Sequence, residues 1–368
     1  MRCRSASAGR SESDMLRPEF AAALAKAGEA HTLAREEIVL LLGAEGEEAA
    51  ALFRAADQVR AAHLGPEVHL RAIIEFSNHC ARNCLYCGLR RDNRRIRRYR
   101  MTPQEILAAA HRARQGGYRS IVLQSGEDPG FALDDLARVV KRIKETLDVA
   151  VTLSLGDRSR DDYRRLRDAG ADRYLLKHET ADPALFARLR PGTTLESRLE
   201  RLRWLQELGY QVGAGSIVGL PGQTCETLAA DILLLQSIGV EMAGIGPFIP
   251  HPDTPLGSSP PGSTDTTLKI LAVTRLLLPR THLPATTALA TLDPEGRRRA
   301  LAAGANVVMP DVTPAPYRQH YAIYPGRSRP QGGGEASFAR WERELRAIGR
   351  QVGTGYGHIL RRGSPRGS

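Results

Sequence analysis

Residues 71–87 read RAIIEFSNHCARNCLYC. The first half is a short apolar run rich in β-branched and aromatic side chains, as a buried strand requires. The second half sets Cys80, Cys84 and Cys87 within eight residues, with three and then two residues between them. Thiolates are the soft ligands of iron–sulfur clusters, and three on one short loop can hold three corners of a cubane. The fourth iron is then left for a small molecule. A structural zinc site wants four closed ligands, and only His79 offers a fourth here, so zinc is the weaker reading. In the chemistry that uses such an open iron, the amino and carboxylate groups of S-adenosylmethionine (SAM) occupy it. Reduction of the sulfonium then releases a 5′-deoxyadenosyl radical, the cofactors carrying the hard step.

Working outward, further strand-like runs lie at 69–76, 120–124, 149–155, 173–176, 211–218, 242–247, 283–287 and 306–309. Helical patterns fall between them, for example at 102–115, 133–147, 161–169, 195–208 and 224–238. Thr102-Pro103 has the form of an N-cap followed by proline at the first helical position. Eight strands alternating with helices predict an α/β fold, a complete (βα)8 TIM-type barrel with its active site at the carboxyl ends of the strands. The expected organisation is a disordered tail at 1–15, an N-terminal helical segment at 16–66, the barrel at 67–326, and a linker, C-terminal helix and tail at 327–368.

The 368 residues are 42% hydrophobic and 25% charged, a globular composition that can bury a core without disulfide staples. Five cysteines, an odd and clustered set, indicate a metal site in a reducing compartment. No apolar stretch has the length of a signal peptide or a membrane span, so a cytoplasmic protein with no membrane partner is expected. The net charge of +11 raises nucleic-acid binding, most of all at residues 90–100, RRDNRRIRRYR. Aromatics make up only 5% and no nucleic-acid module is present. A solvated arginine surface, or a few arginines in a pocket for an anionic substrate, is the stronger reading. Cys225 reads as a small filler residue, and Cys3 lies in the tail.

Polar motifs gather at the predicted strand ends. Gln124-Ser125-Gly126-Glu127 follows the second strand. Gly126 admits close backbone approach, and Ser125 and Glu127 are candidates for the ammonium of SAM. Thr152 and Ser154 alternate to one side of the third strand, into the barrel. Lys177-His178-Glu179-Thr180 ends the fourth. Glu179 is a candidate for the SAM ribose or amino group, with Arg198 as a carboxylate clamp; the bland alternative is a Glu179–Arg198 ion pair. Arg71 reads either as a contact for an anionic substrate or as a buried partner of Glu75. His251, alone on a proline-rich loop, reads as structural. Thr286 and Thr287 end the seventh strand.

These stretches, with GAGSIVGLPGQT, GIGPFIPHPDTPL, LPATTA and GANVVMPDVTPAPYRQHYAIYPG, closely resemble the radical SAM maturases of iron–iron hydrogenase. Biotin synthase and methylornithine synthase are wider relatives. The resemblance implies one 4Fe-4S cluster on Cys80, Cys84 and Cys87, and SAM contacts at Tyr86, Ser125, Glu179 and Arg198. It places Arg71, Gln124, Lys177, Thr286, Thr287 and Tyr321 around a small substrate. That substrate is an anionic molecule, an iron–cysteine complex bearing carbon monoxide and cyanide among the candidates. Implied partners are other hydrogenase maturases and an electron donor such as ferredoxin or flavodoxin. Two departures stand out. No cysteine follows Tyr324, so a second C-terminal cluster is not expected, and Lys177 stands where the family has arginine. No cysteine lies between Cys87 and Cys225, which argues against a biotin-synthase-like auxiliary cluster.

Overall fold

The computed structural model of the chain describes residues 16–327 and 338–359. Its strands are β1 (Glu67–Leu70), β2 (Ala72–Ser77), β3 (Ser120–Ser125), β4 (Ala150–Ser154), β5 (Arg173–Leu175), β6 (Gln211–Ala214), β7 (Ile217–Val218), β8 (Met242–Ala243), β9 (Gly246–Pro247), β10 (Val307–Val308) and β11 (Gln351–Val352). Its helices are α1 (Pro18–Ala30), α2 (Arg35–Leu42), α3 (Gly46–Leu64), α4 (Pro103–Gln115), α5 (Leu133–Thr146), α6 (Arg160–Asp168) and α7 (Pro183–Leu189). They continue with α8 (Leu195–Glu207), α9 (Cys225–Ile238), α10 (Thr264–Leu277), α11 (Thr287–Leu292), α12 (Gly296–Ala302), α13 (Ala315–Arg318) and α14 (Phe338–Arg346).

Six strands form one parallel sheet in the order β2-β3-β4-β5-β6-β8. All six residues of β2 are buried, which is why the run is apolar almost throughout rather than alternating. The helices show the opposite economy. In α5 only Leu136, Val139, Val140 and Ile143, at helical spacing, are buried, leaving the other face charged. Thr102 caps α4 as expected, its hydroxyl accepting from Glu105 N–H while the Glu105 carboxylate accepts from Thr102 N–H. Beyond β8, parallel bridges join Met242 to His282, Pro284 to Val307 and Asp311 to Ile73. Helices α1–α3 pack against α9 and α10.

Several predicted strands are broken. The run 69–76 divides at Arg71: β1 joins a separate sheet of order β10-β1-β11, and β2 joins the main sheet. The runs 211–218 and 242–247 each split into two short strands. The break is steric. A Cβ on Gly215 would lie 2.1 Å from the carbonyl oxygen of Gly244, so the two chains touch where a side chain would hold them apart. The run 283–287 contains only single bridges, since Pro284 has no N–H for a ladder. Thr286 stands at the N-cap position of α11 without a side-chain cap hydrogen bond, and Thr287 is the first helical residue. Helix α7 was not expected. It starts where Asp182 accepts from Leu185 N–H and Pro183 takes the first position. The predicted tail at 1–15 and most of the predicted linker lie outside the described residues. Arg327, assigned to that linker, is instead buried beside β2.

Candidate active site

A cavity of about 360 Å³ opens where the main sheet's strands end in loops, a size within the range of small-molecule sites. The loop after β2 contributes Cys80, Cys84, Tyr86 and Cys87. The end of β3 and its loop add Gln124, Ser125, Gly126 and Glu127, and β4 adds Ser154. Lys177 and Glu179 follow β5, Arg198 comes from α8, and Thr286 and Thr287 from the start of α11. The structure thus brings fourteen sequence-predicted residues to one cavity.

Three predicted residues lie outside its lining. Arg71 Nη1 sits 2.7 Å from Met242 Sδ and its Nη2 donates to the carbonyl of Gly357. It does not pair with Glu75, whose carboxylate is held by Arg327. Thr152 is buried against Arg173, 3.4 Å from its Nη1. Tyr321 stands behind the wall, its hydroxyl accepting from Gln124 Nε2 at 3.2 Å. His251, read as structural, accepts at Nδ1 from Asp253 N–H at 3.1 Å. Cys225 is no filler: it is exposed at the start of α9.

Backbone contacts tie the cysteine loop to its neighbour. Ala81 N–H donates to the Glu127 carbonyl at 2.8 Å, tying it to the loop after β3. A Cβ on Gly126 would meet His79 O at 2.2 Å and Cys80 Cβ at 2.8 Å, so no other residue lets the loops cross this closely. Burial raises the pKa of all three thiols, and for Cys87 the neighbouring Cys84 and Cys80 add to it. Backbone N–H groups of Arg82 and Glu127 point at Cys80, and that of Leu89 at Cys87. Among the described residues no three His, Cys, Asp or Glu side chains converge as one metal ion would need. A cubane makes no such demand, because each thiolate binds a different iron. Three thiols in one pocket with N–H donors at the sulfurs fit that group, since such donors stabilise cluster thiolates.

Around the thiols runs a charged network. Glu127 is ringed by Arg82, by Arg190 at 3.1 Å and by Arg198 at 3.9 Å. Arg198 pairs with Asp157 at 3.2 Å and donates to the Lys177 carbonyl. The Glu179–Arg198 pair is absent. Glu179 instead faces Lys177 at 3.6 Å and Arg190 at 3.9 Å. Its Oε2 is buried without a hydrogen-bond partner, and its backbone takes φ of 65°, which costs energy in a residue with a Cβ. Arg190 also donates to the Tyr86 hydroxyl at 3.2 Å. The lining holds five cationic side chains, Arg82, Lys177, Arg190, Arg198 and Arg327, against Glu127 and Glu179. Sequence reasoning missed Arg82, Asp157, Arg190 and Arg327. Among 52 lysines and arginines, one more arginine carries no signal; only the helix start at Asp182-Pro183 hinted that Arg190 turns inward.

The pattern of the Radical SAM superfamily matches residues 74–235. The [FeFe] hydrogenase maturase subunit HydE of Thermotoga maritima is 57% identical over 277 residues, 75% of this chain and 79% of that protein. The chain belongs to the HydE family of radical SAM enzymes. A 4Fe-4S cluster and SAM are the cofactors of radical SAM enzymes. A 3-methylornithine synthase of Methanosarcina acetivorans is 30% identical over 76% of this chain and 80% of its own length. The crystal structure of methylornithine synthase (PylB) superposes with a TM-score of 0.80 at 26% identity, covering 90% of this chain and 97% of that one. Like these relatives, this HydE-family chain has an α/β fold built on a parallel sheet. Among the described residues no helix is long and apolar enough to cross a membrane.

Proposed function

We propose that this HydE-family enzyme acts on a small anionic molecule during assembly of the di-iron subcluster of the [FeFe]-hydrogenase active site, alongside other maturases. The observation that carries this reading is the shared cavity: three thiols at one side, a buried carboxylate oxygen without a hydrogen-bond partner beside them, and more cationic than carboxylate side chains in the lining. Five cations against two carboxylates favour an anion, and an iron–cysteine complex bearing carbon monoxide and cyanide belongs to that class. The 57% identity to HydE, against 30% to methylornithine synthase, supports the maturase over the mutase.

In this reading Cys80, Cys84 and Cys87 hold the cluster. Their raised pKa values keep them as thiols until iron arrives, so loading the site releases protons. When bound, the cluster and SAM together supply a reductively generated 5′-deoxyadenosyl radical. Glu179, whose Oε2 faces Lys177 but accepts no hydrogen bond, receives the ammonium of SAM. Arg190 and Arg198 fix the carboxylates of Glu127 and Asp157, so that Glu127 braces the cysteine loop rather than binding ligand itself. Tyr86, Ser125, Gly126 and Ser154 complete the SAM wall. Gln124, Lys177, Thr286 and Thr287 face the substrate, Thr286 with a buried hydroxyl that has no partner. Arg327 adds a charge there, and Tyr321 positions Gln124.

The proposed scaffold is a closed eight-stranded barrel running from 67 through Arg327, preceded by the helices within 16–66. The bridges at Met242–His282, Pro284–Val307 and Asp311–Ile73 support closure. Free cysteines support a cytoplasmic setting. The test is Cys84→Ala after anaerobic reconstitution. Iron and sulfide retention should collapse, and dithionite-driven 5′-deoxyadenosine formation should cease, while secondary structure is kept. Wild-type iron content and turnover in that variant would end the cluster assignment. Failure of the intact protein to restore hydrogenase activity in an extract lacking its maturase would end the maturase assignment.

A further inference from the structure

Residues 88–100 leave the cysteine loop directly after Cys87 and hold seven arginines and one aspartate. This stretch is built as a firm surface. The Arg98 guanidinium donates to four backbone carbonyls, of Asn78 at 2.5 Å, Leu89 at 2.9 Å, Arg90 at 2.8 Å and Asn93 at 3.2 Å. Asn93 Nδ2 donates to Gly88 O, Asn78 Nδ2 donates to Arg97 O, and Arg91 N–H donates to Arg82 O inside the cysteine loop. Arg98 is close enough to Cys80 and Cys87 for its charge to be felt there. With the backbone pinned, Arg91, Arg94, Arg95, Arg97 and Arg100 stand exposed, and Ala81 of the cysteine loop is exposed as well.

Three of these arginines already have carboxylates: Arg91 with Asp92, Arg95 with Asp253, and Arg100 with Asp128. Arg94 and Arg97 have no ion-pair partner among the described residues. A solvated face needs no such scaffolding, whereas a docking face does, because a pinned loop loses less entropy on binding. On the radical SAM reading, the site beneath takes up one electron per reductive cleavage.

We propose that this arginine face, centred on Arg94 and Arg97, docks an acidic one-electron donor protein over the cluster loop. The inference rests on the radical SAM reading above. One electron leaves the donor's reduced cofactor and enters the cluster; the donor is oxidised by one electron and the cluster reduced by one, with no proton or group transferred. Charge complementarity of this kind acts on encounter rate and salt dependence more than on intrinsic chemistry.

The experiment compares the intact reconstituted protein with Arg94→Glu/Arg97→Glu and the milder Arg94→Ala/Arg97→Ala, using flavodoxin as the probe. Binding of oxidised flavodoxin, followed by calorimetry, should weaken by about tenfold in the reversal and less in the alanine form. Flavodoxin-driven 5′-deoxyadenosine formation should fall in the same order, while dithionite-driven formation stays at the wild-type rate. In the unaltered protein, added salt should slow the flavodoxin reaction and spare the dithionite one. Unchanged flavodoxin affinity in both variants would overturn the proposal. So would loss of bulk tRNA binding with donor kinetics intact, which would make the face an RNA surface. Absence of dithionite-driven cleavage in the unaltered protein would instead sink the radical SAM reading beneath it.

Discussion

The guanidinium of Arg327 donates to the Glu75 carboxylate, joining residues 252 positions apart. Both side chains are nearly or fully buried, at 6% and 0% exposure. Burial pushes the Glu75 carboxyl up to about 8 despite Arg327 opposite, and the neighbouring Asp311 carboxylate adds to the rise. Removing Arg327 leaves Glu75 buried without its partner; the raised pKa lets the carboxyl take up a proton, and the group left unsatisfied costs about 1–3 kcal/mol. Arg327→Ala should therefore lower the urea midpoint markedly, and adding Glu75→Gln should restore much of the loss. If the double variant unfolds as early as the single one, the pair is not what holds this segment against β2.

Gly126 decides how closely the loop after β3 passes beneath Cys80. Gly126→Ala puts a methyl 2.2 Å from His79 O, a contact with backbone that cannot simply swing away. The loop must shift, at a cost of about 1–3 kcal/mol as for other overpacked sites. The expected result is a reconstituted protein with less iron than wild type and a broadened cluster spectrum. Full iron content with an unaltered spectrum would show that the crossing has slack.

Glu179 and Arg198 should separate in their effects. Glu179 carries a buried oxygen without a hydrogen-bond partner, so Glu179→Gln should weaken SAM binding by about 1.5–3 kcal/mol, the scale of a hydrogen bond to a charged group. Arg198 is engaged with Asp157 and the Lys177 carbonyl. Arg198→Ala should therefore weaken SAM binding and also destabilise the fold, since it removes the nearest of the three arginines, with Arg82 and Arg201, that face the buried Asp157. Equilibrium dialysis with SAM, set beside urea unfolding, distinguishes the two. Equal SAM affinity in wild type and Glu179→Gln would leave Glu179 a role in loop geometry alone.

Asp231, fully buried beside His178, accepts from Ala181 N–H and from Gln223 Nε2. Burial raises its pKa to about 7, against the hydrogen bonds from Ala181 N–H and the Thr180 side chain. In the unfolded chain an aspartate titrates near about 4. Between those values the native state keeps a proton that the unfolded state has lost, so the contribution of Asp231 is whole below about pH 4 and is lost as pH rises to about 7. Asp231→Asn cannot ionise. Its stability relative to wild type should climb across that window and level off above it. His178, pushed down to about 3 by burial, is common to both proteins and drops out of the difference. Parallel stability curves across the range would contradict the raised value.

The cluster loop was legible because its signal is local: three thiols at fixed spacing on one loop need no distant partner to be recognised. The helix cap at Thr102 and the parallel α/β pattern were legible for similar reasons of spacing and period, whereas Tyr86, Gln124, Thr286 and Thr287 came to the site through the family resemblance. Arg71 was misplaced because strand alternation gives a side but not a depth. The break between β1 and β2 puts Arg71 against Met242 and Gly357, away from the cavity. Thr286 and Thr287 were taken as strand, yet Pro284 interrupts the ladder and a helix begins there.

The amino-acid sequence alone determined the chemistry on offer, three soft ligands after a buried strand, because covalent neighbours stay neighbours in any fold. It did not determine which arginines serve the cavity. Arg190, Arg198 and Arg327 look alike in a chain rich in arginine, and each is distinguished only by the carboxylate it meets in space. Those meetings, Arg327 with Glu75 and Arg198 with Asp157, span long stretches of sequence and are fixed by how strands and helices pack. Charge pairing is a property of distance and burial, and both come into being only with the tertiary structure.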